Sequence, residues 1–182
     1  FKSLLHIIKK EGFIMSERSY TPRDIFADIL EDNEPQAVAW VRGDAAHPAL
    51  SGMIKFYKTP YQGVLIEAEV FGLPDQGRPS QSNYYGFHIH ENGNCSGTAA
   101  SPFANAGSHY NPSKAPHPLH AGDFPPLLSN QGYAWMSFYD KRFSLQDILG
   151  RSVIIHNQPD DFTTQPSGNS GAMIGCGVIM KN

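Results

Sequence analysis

Short runs of alternating apolar and polar residues, cut apart by Gly, Pro, Asn and Asp, dominate this chain from Pro35 onward. The clearest is Val64-Leu65-Ile66-Glu67-Ala68-Glu69-Val70, part of a strand expected over Val64–Phe71. Successive side chains on a strand point to opposite faces, so such a run buries one face and wets the other. Further runs fall at 37–42, 51–57, 84–91, 134–139, 153–157 and 174–180. Short strands at regular spacing with turn signals between them predict an all-β sandwich or barrel. The 182 residues suffice for one domain with its own core. The 17 Gly and 14 Pro supply the turns.

Residues 16–34 read differently, as a short helical preface. Thr21 suits an N-cap, Pro22 the first helical position, and Asp24 the acid of a capping box. Ile25, Phe26, Ile29 and Leu30 then make one apolar stripe, as expected of a surface helix packed on the domain. Ser144-Leu145-Gln146-Asp147 reads as a second capped turn before Gly150. The division expected is an N-terminal arm over 1–34 and one domain over 35–182. The opening FKSLLHIIKKEGFIM, which reaches Met only at Met15, reads as a leader or a start-site ambiguity outside the fold. It lacks a small-residue cleavage site, so it makes a poor signal peptide and weighs toward the cytoplasm.

Charge and composition exclude several classes. A net charge of −3 lacks the basic face of a nucleic-acid binder. No apolar run approaches the roughly 18 residues of a membrane span. Two cysteines cannot staple a chain of this length into a disulfide scaffold.

The histidines are unusual. Six of the eight lie between His88 and His156. In His88-Ile89-His90, a strand would put both imidazoles on one face, about 6–7 Å apart, where they can share an ion. The next stretch, about forty residues over 91–132, has little periodicity, and a long irregular loop of this kind is usually functional. It holds His109, His117, His120 and Asp123, three nitrogens and one oxygen, the ligands of a closed tetrahedral zinc site. Pro112, Pro116 and Pro118 restrict its backbone. His156 alone would read as a buried, hydrogen-bonded histidine. Grouped with His88, His90 and His109 it completes an all-imidazole set, which suits copper.

On these residues the chain resembles the copper/zinc superoxide dismutase family over about 37–179. The matching segments are Gly86-Phe87-His88-Ile89-His90-Glu91, the Cys95 loop, Ser108-His109-Tyr110-Asn111-Pro112, His120-Ala121-Gly122-Asp123, Gly150-Arg151-Ser152-Val153-Ile154-Ile155-His156, Asp160-Asp161, Gly168-Asn169-Ser170-Gly171 and Cys176-Gly177-Val178-Ile179. The resemblance implies a Greek-key β-sandwich, a flattened eight-stranded barrel with long metal-binding loops. It implies copper on His88, His90, His109 and His156, and zinc on His109, His117, His120 and Asp123. His109 would bridge the two ions, leave copper on its reduction and carry a proton. Asp160 would hydrogen-bond a ligand of each metal and orient both. Cys95 and Cys176 would form a disulfide, which favours an extracytoplasmic compartment. The implied substrate is superoxide, converted to O₂ and H₂O₂ by copper redox cycling. Family members form different dimers or none, so a homodimer is among the arrangements implied.

Two departures stand out. Where the family usually has Gly-Asn-Ala-Gly-Ser-Arg, this chain has Gly168-Asn169-Ser170-Gly171-Ala172-Met173. The family's arginine sits beside copper and attracts the anion; Met173 has no charge and no donor. Residues 156–176 carry Asp160 and Asp161 but no Lys or Arg, so weak steering of superoxide is expected. In addition, only Pro118 and Leu119 separate His117 from His120, which leaves open how those two histidines divide the zinc positions. Besides dismutation, a copper-handling protein and a zinc-stabilised sandwich without copper stay open as readings.

Overall fold

The computed structural model describes residues 20–74 and 83–182. The leader expected at the N-terminus, and His6 within it, lie outside the described residues. The elements in chain order are α1 (Pro22–Asp32), β1 (Ala37–Gly43), β2 (Ser51–Lys58), β3 (Val64–Phe71), β4 (Tyr84–Tyr85), β5 (Phe87–His90), β6 (Leu127–Leu128), β7 (Ala134–Asp140), α2 (Leu145–Ile148), β8 (Ser152–His156) and β9 (Met173–Lys181). A 3₁₀ turn, Ala104–Ala106, interrupts the long loop.

Seven strands form one antiparallel sheet in the order β5-β8-β9-β1-β2-β3-β7. The sheet curls into a half-barrel, and β4 and β6 pair as a separate two-stranded ladder. The chain crosses from β3 to β4 and β5, whereas the sheet neighbour of β3 is β7. It then crosses from β7 to β8, which lies beside β5. These two crossings make the path a Greek key.

The expected strand over 84–91 is split at Gly86. Gly86 N–H donates to Gln158 O at 2.7 Å, and Gly86 O accepts from His156 N–H at 2.8 Å. Its backbone is thus engaged by the end of β8 and the segment after it, and not by the β4–β6 ladder. A Cβ at Gly86 would meet the Ser170 Cβ at 2.8 Å, so only glycine fits this approach.

Alternation builds the core. Ala37, Ala39 and Val41 of β1, Ile54 and Phe56 of β2, and Val64, Ile66, Ala68 and Val70 of β3 all point inward and are buried. Tyr57 and Leu65 break the pattern, since both are buried although they face outward. The helix accounts for them. α1 carries the expected capping box, with Thr21 and Asp24 bonding reciprocally. Its apolar stripe, Ile25, Phe26, Ile29 and Leu30, covers Tyr57 and Leu65, with Phe26 stacked on Tyr139 at 5.2 Å between centroids. No helix among the described residues is long and apolar enough to cross a membrane.

Cys95 and Cys176 are joined in a disulfide with a sequence separation of 81. It ties the long loop to β9 beside a small cluster of Phe103, Ala106 and Ile154. Closing a loop of that length stabilises the fold by roughly 4.5 kcal/mol in the chain-entropy estimate. Replacing both cysteines by serine should therefore lower the unfolding free energy by a few kcal/mol, measured by denaturant melts at equal metal loading. An unchanged midpoint would show that the loop is held without the bond.

Candidate metal centre

The strand period sets the first two ligands. In β5, Phe87 and Ile89 point into the core, which turns His88 and His90 to the outer face. The long loop then folds back over that face. Tyr110 N–H donates to Ile89 O at 2.8 Å, and Ile89 N–H donates to Gly122 O at 2.9 Å. This backbone pairing brings His109 opposite His90 and Asp123 opposite His88. His156, at the end of β8, enters from the neighbouring strand.

Two ligand groups result. His88, His90, His109 and His156 form one; His109, His117, His120 and Asp123 form the other. Within each group the potential ligand atoms all lie within 4.8 Å of one another. All seven residues are buried, and His109 belongs to both groups. Each of the metal-ligand candidates expected from sequence is thus in one of these groups. His47 stands apart, with its Nδ1 2.7 Å from Asp44 Oδ1 in a turn.

Hydrogen bonds fix which nitrogen of each ring is free. Asp160 accepts from His88 Nε2 and from His117 Nε2, each at 2.8 Å, one through each carboxylate oxygen. His90 Nδ1 donates to Gly107 O at 2.8 Å, and His156 Nδ1 to Gly171 O at 3.2 Å. His109 Nδ1 lies 2.7 Å from Asp123 Oδ1. Asp160, Gly107 and Gly171 set the tautomers of their rings and present the opposite nitrogen as a ligand, whereas His109 and Asp123 are both candidate ligands of the second group. Asp160, rather than spacing, separates the two close histidines: His117 bonds to it, whereas the ring of His120 pairs with Asp123.

Burial favours the neutral form of His88, His90 and His156. It pushes His88 and His90 well below the ordinary imidazole value, with the neighbouring rings adding to the effect. Burial also takes His156 down to about 4. For Asp123 burial acts upward, but the His109 hydrogen bond and the surrounding imidazoles outweigh it and hold the carboxyl below its usual range. Neutral imidazole and ionised carboxylate are the forms that bind metal.

Among the described residues, three buried ring nitrogens have no hydrogen-bond partner: His88 Nδ1, His109 Nε2 and His117 Nδ1. His117 Nδ1 lies 3.1 Å from Asp123 Oδ2 but is not aligned for a bond. An unsatisfied buried polar atom costs about 1–3 kcal/mol. Three in one place make sense when they coordinate ions. Four imidazoles suit copper, and three imidazoles with one carboxylate suit zinc. The residues present therefore fit both metals.

A residue that sequence reading missed braces the second group. Arg142 grips both oxygens of Asp140 and donates through Nη1 to His120 O at 2.8 Å and through Nη2 to Asp123 O. It thereby holds the backbone of two ligands from the end of β7. Its targets are carbonyls, so no residue-type motif marks it.

A cavity of about 410 Å³ opens onto His90, His109 and His156. Glu91, Ser108, Asn111, Ser167 and Met173 are also on its wall, with no Lys or Arg among the described residues lining it.

Residues 50–179 match the family model for copper/zinc superoxide dismutase. The chain is 34% identical over 148 residues to a Cu-Zn superoxide dismutase of Deinococcus radiodurans, covering 71% of this chain and 77% of the relative. It is 36% identical over 146 residues to the superoxide dismutase-like protein YojM of Bacillus subtilis, covering 72% and 70%. The Cu/Zn superoxide dismutase structure from Brucella abortus superposes with a TM-score of 0.64 at 26% identity, over 78% of this chain and 98% of that one. Sheet, ligand groups and sequence agree, and the chain belongs to the copper/zinc superoxide dismutase family. Its cofactors are accordingly copper and zinc.

Asp160 and Arg142 brace different parts of the centre, which separates their expected effects. Asp160→Ala should weaken both copper and zinc binding by about 10–100-fold, the usual range for loss of an orienting carboxylate. Arg142→Ala should weaken zinc alone. Competition titrations with chelators for each metal would check this, and equal losses of both metals in Arg142→Ala would contradict the assignment.

Proposed function

We propose that this protein removes superoxide by dismutation to O₂ and H₂O₂, with weak electrostatic guidance of the anion. The observation that carries the reading is His109, whose single ring is shared by two buried ligand groups. His88, His90, His109 and His156 would hold copper; His109, His117, His120 and Asp123 would hold zinc. When bound, copper supplies one-electron exchange with superoxide, which zinc cannot.

The side chains supply position and protons. His109 turns Nδ1 toward Asp123, within the second group, which leaves Nε2 for the imidazole group. That nitrogen has no other partner, and His109 lines the cavity, so it is placed to take up and release a proton there. Asp160 keeps His88 and His117 from turning. The Cys95–Cys176 bond anchors the loop that carries Gly107, the acceptor for His90.

Substrate attraction is the weak point. Met173 stands at the position of the family's arginine, and the described residues of the wall include Glu91 but no Lys or Arg. A negative net charge and no local cation give little focusing of an anion. This same feature favours a second reading, a copper-handling protein with little dismutase activity.

Pulse radiolysis of protein loaded with both metals separates the two. Copper-dependent turnover below the diffusion limit, with little dependence on ionic strength, is the expected result, and His156→Ala should abolish it. Met173→Arg should raise the rate by about tenfold and make it fall with added salt. Superoxide removal by the loaded protein no faster than by His156→Ala would refute dismutation and leave the copper-handling reading.

A further inference from the structure

Beside His156 stands a side chain that neither ligand group uses. Met173 opens β9, and its partner across the ladder is His156. The ladder runs regularly to Ile155 opposite Gly175, then slips at Ile155/His156, so that Met173 faces His156. Unbroken register would have put Ile174 there; Ile174 is instead buried in the barrel core. Bulges next to functional sites commonly re-aim a side chain in this way. Residues directly opposite on neighbouring strands share a face, with Cβ atoms about 4.5–5.5 Å apart.

Three further observations place the side chain. Met173 lines the cavity together with His90, His109 and His156. It also lines a neighbouring pocket walled by residues 100–104, as does Gly171. Partly buried, it packs against the cluster of Phe103, Ile154 and Cys176. Its backbone is held opposite His156 by the ladder, and its unbranched side chain has three rotatable bonds.

A thioether is a soft, neutral ligand, and soft sulfur selects Cu(I). No Lys or Arg on the described cavity wall opposes a cation there. We propose that Met173 is a ligand for reduced copper, which makes the imidazole group a site that retains Cu(I). The inference rests on copper binding at His88, His90, His109 and His156, as in the proposed function. It adds a preference between oxidation states. A tenfold gain in Cu(I) affinity with Cu(II) affinity unchanged raises the copper potential by about 59 mV.

The test uses full-length, zinc-loaded protein, compared with Met173→Leu, which keeps size and removes sulfur. Cu(I) is titrated anaerobically against a chromophoric Cu(I) chelator such as bicinchoninate, and Cu(II) against a separate competitor. X-ray absorption of the Cu(I) forms reports whether sulfur is bound. We expect Met173→Leu to lose about tenfold in Cu(I) affinity, to keep Cu(II) affinity within twofold, and to lose a sulfur scatterer that the parent shows. Retained Cu(II) affinity also shows that the variant is folded. Equal Cu(I) affinities, or a parent with nitrogen scatterers only, would overturn the proposal while leaving copper binding and dismutation standing. Failure of the parent to bind either form of copper would overturn this proposal and the proposed function together. An intact Cu(I) preference without superoxide turnover would sink dismutation and support the role of Met173.

Discussion

The centre depends on one buried carboxylate. Asp160 accepts a hydrogen bond from His88 through one oxygen and from His117 through the other. It also accepts from Phe162 N–H at 2.7 Å, which shapes the loop that carries it. A buried charge is tolerable only when paired and hydrogen-bonded, and here the partners are one ring from each ligand group. The carboxylate thus decides which nitrogen of both rings is left to coordinate. Packing around it is tight. A Cβ on Gly168, which has a positive φ of 65°, would fall 2.0 Å from Asp160 Oδ1 and 2.6 Å from His117 Nε2. The orientation of two histidines in separate parts of the chain therefore rests on a third segment, held in place by a residue without a side chain.

The rest of the architecture brings those segments together. β5 supplies its two histidines by simple alternation, and the 91–126 loop lays its backbone along the same strand. Arg142 grips that loop from the opposite side, and the disulfide fixes its first part to β9. The outer face of β5, β8 and β9 is thereby converted from sheet surface into a second interior, polar and lined by imidazoles. Met173 sits at its mouth, where it has two consequences. It removes a positive charge that would draw an anion inward, and it adds a sulfur that favours reduced copper. Attraction of superoxide and retention of Cu(I) are opposed at this one position.

Much of this was legible in the residues. Val64–Phe71 could be bounded because its apolar face is complete and turn residues flank it. The α1 cap was legible because Thr21, Pro22 and Asp24 act on their own neighbours. The break at Gly86 was not, since its partners Gln158, His156 and Ser170 come from a distant loop. Burial of Tyr57 and Leu65 on the outer face likewise follows only from α1 docking there. In the metal centre, His88 and His90 announce themselves by period, whereas His156 had meaning only as the completion of a set. How His117 and His120 divide their roles stayed open because it depends on Asp160. Arg142 was invisible because its targets are carbonyl oxygens of His120 and Asp123, which any residue type could offer.

In the proposed centre His109 is held in common by two metals. Filling both ligand groups with Cu(II) and recording the electron paramagnetic resonance spectrum tests this directly. A shared, deprotonated imidazole couples the two unpaired electrons, so the doubly loaded protein should show far less signal than its copper content, while the copper/zinc form gives the full signal of one ion. A doubly loaded protein whose spectrum integrates to two independent Cu(II) ions per chain would contradict the account.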